Sequence, residues 1–180
     1  MSTKLYTTRG DSGTTARFGS KQRLRKDAAL FEALGALDEL GAYLGLAKVW
    51  VPYDPLLHEP LHALQESLFV VQAEVAGAPK HLAPAALTRL ESMIGAVEVQ
   101  LENPHGFVLS GATRDAALLD VARTVARRAE RAVVRAHLRR VRPATYAYLN
   151  RASSALYALA RYAAQGAGVH ESHPSYLEVT

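Results

Sequence analysis

The segment from Arg123 to Arg131 reads RTVARRAER and sets four arginines and one glutamate at helical spacing. At about 100° per residue, Arg123, Arg127 and Glu130 fall within about 60° of one another, while Leu118, Ala122, Val125, Ala129, Val133 and Ala136 form a separate apolar stripe. One face packs and the adjoining face carries charge. A helix that needed only solubility would mix Lys with Glu, whereas arginine suits bidentate binding of phosphate or carboxylate. The segment is therefore half of an anion site or else a solvated basic face.

A second cationic stretch opens the chain. KLYTTRGDSGTTARFGSKQRLRKD has no helical period and is crowded with Gly, Ser, Thr and Asp. Gly10, Gly13 and Gly19 permit positive φ, so that successive N–H groups converge on an anion, and the hydroxyls of Thr7, Thr8, Thr14 and Thr15 add donors. It reads as a phosphate-cradling loop, with a flexible N-terminal arm as the alternative. It is not a Walker loop, because GxxxxGK[ST] is missing.

Charge is distributed unevenly behind a net +4. Residues 1–26 hold seven Lys/Arg and one Asp, residues 123–142 hold eight Arg and one Glu, and residues 54–102 hold seven acids against two bases. Two basic segments far apart in sequence suggest one shared polyanion, and the acidic middle argues against a nucleic-acid wrapper. With 180 residues the chain is expected to be one domain, and with no cysteine it forms no disulfide. No apolar signal core or membrane-length run is visible, so the expected location is cytoplasmic and no membrane partner is expected.

Five amphipathic patterns must position these segments. A helix from about Asp27, the expected N-cap, to Val49 carries Leu30, Ala33, Leu34, Leu37, Leu40, Gly41 and Leu44 on its core face. Its neighbouring face, with Phe31, Gly35, Ala42, Gly45 and Val49, is also apolar or small and holds Asp38. Burial on two sides suggests a subunit interface, and a carboxylate there requires a cationic partner, for which the arginine helix is the obvious supplier. Asp54-Pro55 caps a helix to about Ala76. Within that helix His58 to His62 satisfies HExxH, but Pro60 stands between the two would-be ligands, and no metal site is expected.

A third helix is expected from about Pro84 to Leu101, broken by Asn103-Pro104-His105-Gly106. Phe107, in the loop that feeds the arginine helix, is either core or the wall of a cavity. The arginine helix, from about Thr113 to Leu138, ends before Pro143. A last helix, from about Ala144 to Gln165, bears a polar strip of Asn150, Ser154, Tyr157 and Arg161. The tail, which contains HESH, is expected to be disordered or locally packed. No convincing strand is seen. The expected fold is all-α, an up-and-down five-helix bundle, with residues 1–26 as the anion-binding segment, 27–165 as the bundle and 166–180 as a tail.

Taken together, YTTRGDSGTT, RKDAALFEALGALDEL, GFVLSGAT, ARTVARRAERAVV and YLNRASSALYALAR resemble, in that order, the PduO-type ATP:cob(I)alamin adenosyltransferases. The resemblance implies a five-helix bundle that forms a homotrimer with active sites between subunits. It implies transfer of the 5′-deoxyadenosyl group of ATP to cob(I)alamin, giving adenosylcobalamin and triphosphate, with Mg²⁺ accompanying ATP. A cobalamin reductase and an adenosylcobalamin-dependent enzyme are the further partners it suggests. By position, Thr7, Thr8, Arg9, Gly10, Gly13 and Thr15 match the triphosphate loop, Lys26 its lysine, Arg127, Arg128, Glu130 and Arg131 the nucleotide-binding RRAER, and Asn150 the asparagine of the last helix. Asp38 and Arg123 match an intersubunit salt bridge that shapes the corrinoid site. Phe107 matches the aromatic on the lower axial side of the corrin, which favours four-coordinate Co(II). The chain departs from the family pattern at Arg9 and Ser12 in the loop, at Gly41, and at Ser110 and Ala112.

Overall fold

A computed structural model describes residues 6–102 and 107–175. The helix break expected at residues 103–106 and the end of the tail lie outside them. Five helices form the body: α1 (Ala29–Trp50), α2 (Pro55–Ala76), α3 (Pro84–Glu98), α4 (Arg114–Arg135) and α5 (Pro143–Gly166). They are preceded by a 3-10 turn at Thr8–Gly10 and an antiparallel hairpin, β1 (Thr14–Ala16) and β2 (Arg23–Arg25), in which Thr15 faces Leu24.

That hairpin corrects the expectation of a chain without strands. Three-residue strands are too short for alternation to register in sequence. A second correction concerns the start of α1. Asp27 does not cap it, because its carboxylate takes both Nε and Nη2 of Arg25, and the helix begins at Ala29 with no side-chain cap. At α2 the expected cap forms, with Asp54 Oδ1 accepting from Leu56 N at 2.8 Å ahead of Pro55. Pro60 is buried within α2. His58 Nε2 lies 3.5 Å from Val51 O, whereas His62 pairs with Glu66, so the two imidazoles have separate partners.

Leu37, Leu40, Leu44, Leu61, Val71, Leu119, Leu149 and Leu156 are essentially inaccessible and form one apolar core. At about 25 cal/mol per Å² of apolar surface, such burial is the main term holding the bundle together. Around the bundle the helices run α1, α2, α3, α5, α4, with α2 also touching α5 across it. The arrangement differs from a simple sequential ring, since α3 packs on α5 and the chain must cross over the end of α5 before α4 starts. Gln165 ties that crossing down, donating to Gln100 O at 2.7 Å and accepting from Glu102 N at 2.9 Å. Phe107 lies in this crossover. Among the described residues no helix is long and apolar enough to span a membrane.

Candidate functional site

The N-terminal segment is held as a structured cradle. Asp11 N donates to Thr8 O and Gly13 N to Gly10 O, two successive tight turns. Gly13 takes φ +71°, a conformation other residues rarely adopt, and Lys26 N returns to Gly13 O at 2.9 Å. Gly10 has no positive φ. Its requirement is proximity, because a Cβ added there would meet Lys26 Nζ at 3.0 Å. The lysine ammonium therefore lies against the glycine backbone, with Thr7, Thr8 and Arg9 exposed beside it and Thr15 half-buried in β1.

Arg23, which the sequence reading did not single out, organises this cradle. Its guanidinium donates to Arg9 O, to Thr14 O at 2.7 Å and to Thr14 Oγ1 at 2.9 Å, crossing the hairpin to fix the loop. The alternation of Arg23, Leu24 and Arg25 was the available signal: Leu24 turns to the core and the arginines turn away.

On α4 the charged face divides among several partners. Arg127 is exposed and lines an open groove of about 690 Å³ with Arg123, Glu98, Ser153, Ser154 and Tyr157. None of residues 7–26 of the same chain lines that groove. Glu130 accepts from Asn150 Nδ2 at 3.3 Å, so the two expected nucleotide contacts from α4 and α5 meet. Arg128 pairs with Glu39 of α1. Arg131 faces a second groove, of about 640 Å³, between α1 and α4, together with Glu32, Glu39, Arg128 and Arg135.

Asp38 and Arg123 do not meet within one chain. Arg123 Nε instead pairs at 3.0 Å with Asp120 one turn earlier, while Asp38 is exposed and has no ion-pair partner among the described residues. The small face of α1 around it is likewise open: Gly35 and Ala42 are exposed and Val49 is 81% exposed. Phe107 is 79% exposed, which excludes the core alternative in the protomer.

Two buried groups went unrecognised in the sequence. Arg161, part of the polar strip of the last helix, is 4% exposed and reaches Asp120 Oδ2 at 2.6 Å and Glu171 Oε2 at 2.6 Å. Burial opposes its charge, but Asp120 and Glu171 outweigh that and raise the guanidinium pKa. Burial likewise pushes the Glu171 carboxyl up, against the pull of Arg161. The available clue was Asp120 placed three residues before Arg123, the spacing of a helical ion pair.

The structure is thus a five-helix bundle preceded by a short basic hairpin, with a groove lined by Arg123 and Arg127. The chain belongs to the cobalamin adenosyltransferase family, whose sequence profile matches residues 5–163. It is 37% identical to the corrinoid adenosyltransferase PduO of Salmonella typhimurium over 94% of this chain and 52% of that protein. A shorter corrinoid adenosyltransferase of Citrobacter freundii is also 37% identical, over 88% of this chain and 93% of its own length. The chain thus spans about half the length of the PduO relatives it matches. A phenylalanine-to-alanine variant of the PduO-type ATP:corrinoid adenosyltransferase of Lactobacillus reuteri, complexed with cobalamin and ATP, superimposes with a TM-score of 0.86 at 29% identity, covering 93% of this chain and 97% of that one. An arginine-to-lysine variant of the same enzyme, complexed with ATP, gives 0.84 at 28% identity, covering 93% and 98%.

Proposed function

We propose that this chain transfers the 5′-deoxyadenosyl group of ATP to the cobalt of cob(I)alamin. The Co(I) electron pair attacks C5′, a Co–C bond forms as the C5′–O bond breaks, and the bonding electrons leave with triphosphate. The reading is supported by two separate basic surfaces on the chain, the loop in which Lys26 Nζ lies against Gly10 and the groove lined by Arg123 and Arg127, each suited to a departing polyanion. Co(I) is itself a strong nucleophile, so the protein's work is positioning C5′ and stabilising the leaving group. A site made of arginines, a lysine and backbone N–H groups, without a general base, suits that division of labour. Mg²⁺ enters as part of the nucleotide substrate, on phosphate oxygens; the described residues contain no group of three or more His, Asp or Glu placed to hold it.

The roles are those of the matching positions in the family's motifs. Thr7, Thr8, Arg9, Gly10, Gly13, Thr15 and Lys26 hold the triphosphate, and Arg127, Arg128, Glu130, Arg131 and Asn150 hold the nucleotide. Phe107 closes the lower face of the corrin. Since the cradle does not line the arginine groove of its own chain, the two halves are brought together between copies. The exposed small face of α1 is the surface for that assembly, a homotrimer in which Asp38 meets Arg123 of a neighbour. In the cytoplasm a cobalamin reductase would supply Co(I), and an adenosylcobalamin-dependent enzyme would receive the product.

The test is anaerobic incubation with MgATP and chemically reduced cobalamin. Loss of the cob(I)alamin absorbance matched by equimolar triphosphate is the expected result. Absorbance loss no faster than without protein would contradict it. Removing one charge contact that strengthens in the transition state should slow turnover about 10²- to 10³-fold.

A further inference from the structure

We propose that Glu171 and His173, beyond the end of α5, are positioning residues that latch the Phe107 segment in place as a wall of the corrinoid site. The proposal rests on the functional reading above. Residues 107–109 have no regular secondary structure, and ordering such a segment costs conformational entropy that its neighbours must offset. The segment meets the tail at two backbone points. His173 Nδ1 lies 2.8 Å from Phe107 O and donates to it, and Leu109 N donates to Ser172 O at 2.8 Å.

The tail in turn is anchored by the Glu171 carboxylate on Arg161. Arg161 is fixed by Asp120, whose other oxygen holds Arg123 of the arginine face. One continuous path of contacts therefore links a groove-lining arginine to the backbone of Phe107. The anchor is poorly optimised for stability alone. Glu171 Oε1 is buried without a hydrogen-bond partner, Arg161 Nε–H is not aligned with the carboxylate despite its closeness, and buried ion pairs of this kind contribute weakly to net stability. Its evident consequence is geometric: the tail lies over the crossover and sets where the Phe107 backbone sits.

Two variants test the latch, Glu171→Gln in the buried anchor and His173→Ala at an exposed site whose loss cannot unfold the bundle. Hydrogen exchange at the Leu109 amide should accelerate by about tenfold or more in both. KM for ATP should stay within about twofold while kcat falls about tenfold, as a displaced positioning group predicts. The four-coordinate fraction of bound cob(II)alamin should fall in parallel, and Glu171→Asp should restore part of it. Unchanged Leu109 exchange would overturn the latch. Faster exchange with unaltered kcat and cob(II)alamin spectrum would reduce the tail to packing and overturn the positioning role. Failure of the underlying functional reading is told apart by the unmodified protein, which would then form no adenosylcobalamin at all.

Discussion

Replacing Gly10 by alanine moves the lysine of the cradle without removing its charge. The added methyl would stand 3.0 Å from Lys26 Nζ and 3.3 Å from Lys26 Cε, where ordinary contact starts at 3.4 Å. The ammonium must therefore retreat by about 0.4–0.8 Å, which at an effective dielectric of about 20 and a charge separation of about 4 Å weakens its attraction for phosphate by roughly 0.4–0.7 kcal/mol. The dissociation constant of MgATP should rise about two- to threefold. Lys26→Ala removes the whole charge-assisted contact, worth about 1.5–3 kcal/mol, and should weaken binding by about 10- to 150-fold. The decisive quantity is their coupling. Because the methyl acts only by displacing the ammonium, Gly10→Ala should have no effect in a Lys26→Ala background. Titration calorimetry on the four proteins of the cycle measures this. Melting temperatures of the Gly10 variant should stay within about 2 °C of the parent, since only the end of a flexible side chain moves. Strictly additive losses, or a Gly10→Ala loss exceeding that of Lys26→Ala, would refute the placement of the lysine in the nucleotide cradle.

Replacing Phe107 by alanine should leave ATP affinity unchanged and abolish the four-coordinate cob(II)alamin spectrum; an undiminished spectrum would remove the aromatic from the corrin face. Glu74 is 1% exposed and accepts from Arg142 N at 2.9 Å and Thr145 Oγ1 at 2.6 Å, joining the end of α2 to the start of α5. Glu74→Ala orphans both donors at about 1–3 kcal/mol each and should lower the melting temperature by roughly 5–15 °C, and a shift under 2 °C would contradict that linkage. The Glu171 carboxyl, raised by burial, binds its proton more tightly in the folded than in the unfolded chain. Its contribution to stability is thus fully present below the ordinary carboxylate pKa and is lost as pH rises through the elevated folded value. Denaturant titrations across that window should show a downward slope in the parent that flattens in Glu171→Gln; parallel curves would deny the shift.

Legibility in the sequence tracked how local the physics was. Asp54-Pro55 announced α2 because a cap and a fixed φ act within three residues, and the apolar stripes placed all five helices to within a few positions. Asp27 misled for an equally local reason. Arg25 competes for its carboxylate two residues away, and helical pattern alone does not weigh one partner against another. The crossover of the α3–α4 connection over α5 was invisible, since it depends on which helices pack and not on where they begin. Arg161 illustrates the same limit at the site. Its helical position in the polar strip was legible, and it does line the groove with Arg123 and Arg127, but its pairing with Asp120 and with Glu171 from the tail depends on contacts distant in sequence. Asp38 stands at the other extreme: its apolar neighbours in sequence suggested a buried carboxylate in need of a cation, whereas in the single chain it is exposed, with no ion-pair partner among the described residues.

The proposed sharing of the site between copies is examined by subunit complementation. Lys26→Ala and Arg127→Ala chains, each inactive alone, are unfolded together in equal amounts and refolded as mixed assemblies. A site that takes its cradle from one copy and its arginines from another should be intact in about a quarter of random pairings, so adenosyl transfer should return to about a quarter of the unmodified rate. Mixed assemblies that stay as inactive as either variant alone would mean that each chain builds its site by itself.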